Sequence, residues 1–320
     1  MIGRLGATGQ RVAAAIVLAL ALQLVGSILI EGYSSEFTIR SMLVLASLLG
    51  VASIGQTLVV LIGGIDLSTP FVIGFANVVA AQLYGDGVNF ALVCLIVGVL
   101  ALAIGAFNGA LSSSLGVHPL IVTLGVGTAV QGAVLLWTAG FPAGSAPDAV
   151  TKFVSIGGHA GPLPVPWLIP SFLVLLALLT LVLERTPFGR RLYAVGSNPQ
   201  AAPYALISPR AIWTATYALS GLFAAMAGVL LLGFTGSAYG DVGQPYLFQT
   251  IAAVVIGGTT LVGGRGGLIG TAAGALVLTE INTLLIGLGL SPAMVEAALG
   301  ALILALVSLY GREPHVRASI

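Results

Sequence analysis

Charge is scarce in this chain: 7% of its 320 residues are Asp, Glu, Lys or Arg, while 58% are hydrophobic. A soluble domain carries roughly 25% charged residues, which keep its surface solvated, so most of this surface must face lipid. Lysine and cysteine occur once each, as Lys152 and Cys94. A single cysteine excludes an intrachain disulfide. A single lysine outside any G-x-x-x-x-G-K-[ST] pattern excludes a phosphate-cradling P-loop, and with it an ordinary P-loop ATPase. His118, His159 and His315 are far apart, with no H-E-x-x-H and no cysteine pair, which argues against a zinc site. There is no G-x-S-x-G elbow, and the basic residues form no stripe that could track phosphates, so nucleic acid is not an expected partner. Neither an enzyme nor a resident cofactor is expected.

Long apolar runs dominate instead. A bilayer span takes about 20 mainly apolar residues, because a helix satisfies its own backbone where water is absent. Ten stretches qualify: 12–30, 41–62, 69–85, 90–111, 119–138, 167–183, 211–233, 247–262, 267–287 and 293–309. The first follows Arg4 and Arg11 and, at about 19 residues, outruns a signal-peptide core, so it reads as an uncleaved helix. The expected fold class is all-α: one polytopic membrane domain over 1–320 with about ten transmembrane helices. The third and eighth spans are short, and broken or re-entrant helices are expected near 63–70 and 247–266. With both termini inside, the inner face carries Arg4, Arg11, Arg185, Arg190, Arg191, Arg210, Arg265, Arg312 and Arg317, and the outer face Arg40 and Lys152. Nine against two is the positive-inside pattern. Residues 139–166 then form a Gly- and Pro-rich outer loop, and 184–210 the most basic inner loop.

Polar residues inside the runs are few. Asp66 and Glu280 are the acids there, too few to suggest a proton or sodium relay. The stretch I-D-L-S-T-P resembles a helix start with Asp66 or Ser68 at the N-cap, so a structural role competes with ligand contact. Asn77, Gln82, Asn108, Gln131 and Gln249 are costly in lipid and should face one another or a wet path. Phe71, Phe75 and Gln82 fall within about 40° of each other on a helix, a surface that suits a polyhydroxylated ligand as well as lipid. Small residues four apart (Gly105 with Gly109, Ala224 with Gly228, Gly270 with Gly274) read as helix-packing faces. VVLIGGIDL (59–67) echoes AVVIGGTTL (253–261). Glycine-interrupted segments in corresponding halves point to a midplane site, which makes Gly63, Gly64, Gly257 and Gly258 path candidates.

Four stretches together carry a family likeness: GQTLVVLIGGIDLS (55–68), Asn108-Gly109 with PLIVTLG (119–125), TPFGRRLYAVGSNPQAA (186–202) and IAAVVIGGTTLVGGRGGLIGT (251–271). With them the chain resembles the permease subunits of bacterial ribose-type ABC importers, relatives of the branched-chain amino-acid permeases. The resemblance implies a permease in the bacterial inner membrane that pairs with a second copy or a homologue. It also implies a cytoplasmic ATPase that binds the ATP and Mg, and a periplasmic binding protein that delivers a monosaccharide or similar solute. It places the ATPase-coupling loop at Gly189, Arg190, Tyr193, Gly196, Asn198, Ala201 and Ala202, while the glycine echo, the aromatic face and the polar residues of the spans give Gly63, Gly64, Asp66, Phe71, Phe75, Gln82, Asn108, Gly257 and Gly258 as substrate-path candidates. One departure stands out: after the Ala pair the family pattern continues to Gly-Ile, where this chain has Leu206-Ile207, which suggests an altered loop. Nucleosides and branched-chain amino acids are the nearest alternative substrates. A stand-alone secondary transporter or channel is the rival of another class.

Overall fold

The computed structural model describes residues 7–310, so Arg4, Arg312, Arg317 and His315 lie outside the described residues. Those residues form twelve α-helices: α1 (Ala7–Leu29), α2 (Glu36–Leu61), α3 (Thr69–Gly85), α4 (Phe90–Leu115), α5 (Pro119–Trp137), α6 (Asp148–Val154), α7 (Leu168–Arg185), α8 (Pro187–Ser197), α9 (Pro209–Thr235), α10 (Tyr246–Ile256), α11 (Leu268–Gly287) and α12 (Pro292–Tyr310). Short 3₁₀ turns lie at Ala202–Ala205 and Gly240–Gly243. The helix starts follow local chemistry. Ser35, Asn89, Thr186 and Ser208 accept backbone N–H bonds as N-caps of α2, α4, α8 and α9. Proline occupies the first turn of α3, α5, α8 and α9, where its missing N–H costs nothing.

Seven helices are long and apolar enough to cross a bilayer: α1, α2, α4, α5, α7, α9 and α11. The protein is a multi-pass, all-helical membrane protein. α2 is its axis, with 89% of its apolar window buried, against 17–22% for α1, α4, α5 and α7. Those outer helices show Val17, Leu95, Ile121 and Val174 to the surroundings, as lipid-facing helices should. The small-residue faces pack as expected. A side chain on Gly105 or Gly109 would run into the α9 backbone at Tyr217 and at Trp213, and one on Gly228 into the carbonyl of Ile73.

The third and eighth stretches depart from plain spans. α3 has 17 residues and α10 only 11, about 16 Å of helix for the latter, half the hydrocarbon thickness. Each is completed by irregular chain. Gly55 of α2 lies against Ser220 of α9, and Ser220 also bonds Asp66. After Leu61 the chain therefore climbs back about six residues' worth of α2, roughly 9 Å, before α3 begins. Opposite it, the segment after α9 descends along α3: Gly240 lies on Gly74, and Gly243 on the carbonyl of Pro70. Only glycine permits backbones this close. Irregular backbone at membrane depth is tolerated where protein buries it, and here helices and loops do so.

Candidate functional site

Two sites lie at different depths in this scaffold. The first is a polar knot where α3 starts. Asp66 is 3% exposed; its Oδ1 accepts from the Ser68 backbone N–H (2.9 Å) and hydroxyl (2.5 Å), and its Oδ2 from the Ser220 hydroxyl (2.7 Å). Asn108 of α4 donates from Nδ2 to the Ser68 hydroxyl (2.9 Å). Thr123 of α5 accepts from the Leu67 N–H (3.0 Å), and the Tyr217 hydroxyl donates to the carbonyl of Ile65 (3.3 Å). One short loop is thus tied to α4, α5 and α9. The Asn108 Oδ1 is buried without a hydrogen-bond partner among the described residues.

Beside the knot a cleft of 180 Å³ opens between α3, α5 and the descending segment. Phe71 and Phe75, one turn apart on α3, line it with Gln131, Tyr239 and Asp241. Phe71 rests on Gly127 of α5, where any side chain would overlap its ring. Gln131 donates from Nε2 to Asp241 Oδ1 at 3.0 Å. The backbone of Tyr239 is fixed by its N–H bond to Asn77 Oδ1 (2.9 Å), and Asn77 also donates to the carbonyl of Gly228 (3.3 Å). Gln82 does not line this cleft.

The second site is a glycine junction at the far end of α2. Ile62, Gly63 and Gly64 close α2 with a bond from Gly64 N–H to the Val59 carbonyl, and Thr259 N–H closes α10 onto Val254 in the same way. These are 6→1 helix stops of the Schellman type, with the left-handed residue at Gly63 (φ 81°) and Gly258 (φ 87°). The sequence echo is thus also structural, offset by one residue. Gly257 serves packing, since a side chain there would strike the backbone of Gly270, and Gly258 lies against Arg11. Gly64 lies against the Tyr217 hydroxyl.

The amphipathic helix α8 seats on this junction. Gly264 N–H bonds the Leu61 carbonyl at 2.9 Å, and a Cβ on Gly196 would collide with that same carbonyl and approach Gly264. The Tyr193 hydroxyl donates to the carbonyl of Gly266 at 2.9 Å. Burial, with the Glu184 carboxylate adding to it, pushes this hydroxyl above its ordinary value, so it stays protonated as a donor. Gly189, Gly196 and Ala202 are buried, while Arg190, Asn198 and Ala201 are exposed. Asn198 accepts from the backbone N–H groups of Gln200 and Ala201 and so shapes the turn. Leu206 takes φ 57° and is 97% exposed. The backbone conformation suited to the pattern's glycine is kept, and the leucine bears the strain.

An amphipathic helix locked to broken spans fits the comparisons with known proteins. A family model described as branched-chain amino acid transport system / permease component matches residues 38–307. The chain belongs to this permease family. Among its relatives is the fructose import permease protein of Rhizobium meliloti, 34% identical over 301 residues, covering 92% of this chain and 83% of the relative. The ribose import permease protein of Bacillus subtilis is 33% identical over 272 residues, 84% of this chain and 83% of that one. An autoinducer 2 import system permease protein of Escherichia coli is 34% identical over 265 residues, 81% and 79%. No solved structure matches the chain.

Of the sequence-stretch candidates in this permease, Phe71 and Phe75 share the cleft, and Asp66 and Asn108 share the knot below it. Gly63, Gly64, Gly257 and Gly258 belong to the junction. Gln131 was singled out only as a polar residue in lipid, and Tyr239 and Asp241 were missed. Their signal was SAYGDVG (237–243), where an aromatic and an acid alternate with glycines just past a helix end.

Proposed function

We propose that this permease is the membrane subunit of an ATP-driven importer in the bacterial inner membrane, carrying a monosaccharide or similar polar solute handed over by a periplasmic binding protein. The seating of α8 on the glycine junction carries this reading. An ABC permease reaches ATP only through mechanical contact, and here an exposed amphipathic helix is coupled through backbone-to-backbone contacts to both broken spans. Counting α3, α10 and α12 as one crossing each beside the seven long helices yields ten, with both termini cytoplasmic and the nine-to-two basic asymmetry on the correct side. Then α8 faces the cytoplasm, where Arg190 and the turn at Ala201 meet the ATPase, and the aromatic cleft opens toward the periplasm. ATP and Mg belong to the ATPase subunit, and the path lies between this chain and a second permease, identical or homologous. The sugar assignment draws on relatives named for fructose, ribose and autoinducer 2 import. Co-purification in mild detergent tests it: an ATPase subunit should accompany the chain. A chain that transports without any ATPase would instead be a secondary transporter.

A further inference from the structure

We propose that Asp241 and Gln131 form a hydroxyl-reading clamp in the cleft, with Phe71, Phe75 and Tyr239 as its apolar walls, and that its ligand is a neutral polyhydroxylated solute. This rests on the import reading, since it takes the cleft as the entry side of the path. The Gln131–Asp241 bond uses one carboxylate oxygen and one amide donor. Asp241 Oδ2 and the Gln131 carbonyl take no part in that bond, and both residues line the cleft, which leaves two acceptors for hydroxyl donors. Hydrogen bonds to an ionised acceptor are stronger than neutral ones, so a sugar hydroxyl is held better here than by a pair of amides. Aromatic walls supply the other half of sugar chemistry, contact with the apolar C–H faces of a ring.

The cleft also excludes. Its lining contains no lysine, arginine or histidine. A phosphorylated sugar would enter beside Asp241 with no lining cation to neutralise it, and like charges at close range repel. The clamp thereby separates a neutral polyol from its phosphorylated form, a distinction the family description does not make. Its geometry is fixed rather than adaptable. Gly240 and Gly243 are pressed on α3, and Tyr239 is bonded to Asn77, so the carboxylate is carried on a backbone held at both sides. A bond needed only to tie α5 to the segment could be made by two amides; a carboxylate in a lining with no cationic side chain adds selectivity.

The experiment is saturation-transfer NMR on the full-length permease in nanodiscs, with any ATPase that accompanies it, using millimolar ribose, fructose and ribose 5-phosphate as probes. At least one free sugar should receive saturation and ribose 5-phosphate none. Asp241→Asn should lower the sugar signal at least fivefold at unchanged permease abundance and monodispersity. If that variant assembles poorly, Tyr239→Ala, at a side chain 57% exposed, should give the same loss. No sugar signal in the wild type, an equal signal for ribose 5-phosphate, or an undiminished signal in well-assembled variants overturns the clamp. Absence of an ATPase from the same preparation overturns the import reading instead, and leaves the ligand result to be judged separately.

Discussion

Replacing Gly196 by alanine adds one methyl group at the seat of α8, where the structure has no room for it. The neighbours are backbone: the Leu61 carbonyl and the Gly264 N–H, already bonded to each other. Neither can rotate away as a side-chain tip would. Overpacking of this kind costs about 1–3 kcal/mol, and losing the Gly264–Leu61 bond adds about 1 kcal/mol. At 1.4 kcal/mol per decade, the combined cost of about 2–4 kcal/mol shifts the seating of α8 by roughly 30- to 1,000-fold. Solute uptake per permease should fall at least tenfold. ATPase pull-down should persist, because the exposed face of α8 is untouched. Gly98→Ala is the control: its Cβ would meet only Leu222 at 3.6 Å, and alanine is the better helix former by up to about 1 kcal/mol. Wild-type uptake by Gly196→Ala, at normal abundance and in the same assay, would refute the idea that α8 works through the junction.

With Cys94 removed, a cysteine at Ser145 should react with an impermeant thiol reagent from outside, and one at Ser197 only after the inner face is opened; reversed labelling sinks the orientation. Arg190→Glu and Ala201→Asp, both at exposed positions, should reduce ATPase pull-down and uptake more than tenfold without loss of membrane insertion, scored by quantitative blotting. Ala202→Asp differs, because Ala202 is 4% exposed: it should lower permease abundance itself. Leu206→Gly removes a left-handed leucine worth about 1–2 kcal/mol of strain and should raise the thermal unfolding midpoint of the detergent-solubilised chain, with a fall counting against the strain argument.

Much of this architecture is legible in the one-dimensional pattern, and the reasons are specific. Length and apolarity decide α1, α2, α4 and α7, because lipid accepts little else. The glycine pairs at 63–64 and 257–258 announce interruptions, since a Gly-Gly pair ends a helix readily. What the pattern hides is depth. α10 and the run after it read as one apolar span over 247–262, yet the helix stops at Ile256 and the rest is loop, because the glycine stop outweighs the apolar character of Val262. Phe71 and Phe75 are recognisable as one face from helical spacing. Gln131 and Asp241, 110 residues apart, cannot be paired by any local rule; only the re-entry of the chain after Gly236 brings them together. Asp66 is ambiguous in sequence between cap and ligand. In the structure each of its oxygens is engaged by serine, which makes it the fastener of the α3 start.

The two sites are mechanically one object, and this follows from where α3 begins. A full-length span would have its first turn at the membrane surface, anchored by water and by the preceding loop. Here the first turn of α3 lies at the level of Ser220, and its anchors are side chains on α4, α5 and α9. The loop that ends in those anchors starts at Gly63, against the Val262 carbonyl and Gly263 of the junction. From the seat of α8 to Asp66 the chain therefore runs only from Gly63 through Gly64 and Ile65. On the import reading, motion of α8 that shifted Gly264 against Leu61 would pass to the Asp66 knot through this short connection, and from there to Phe71 one turn along. Close-packed elements have discrete arrangements rather than continuous ones, so a small displacement at the seat of α8 would move the Phe71 ring relative to Gly127. On the import reading proposed above, the cleft wall and the coupling helix are then linked by one broken span, through which ATP hydrolysis on one side of the membrane would change access on the other.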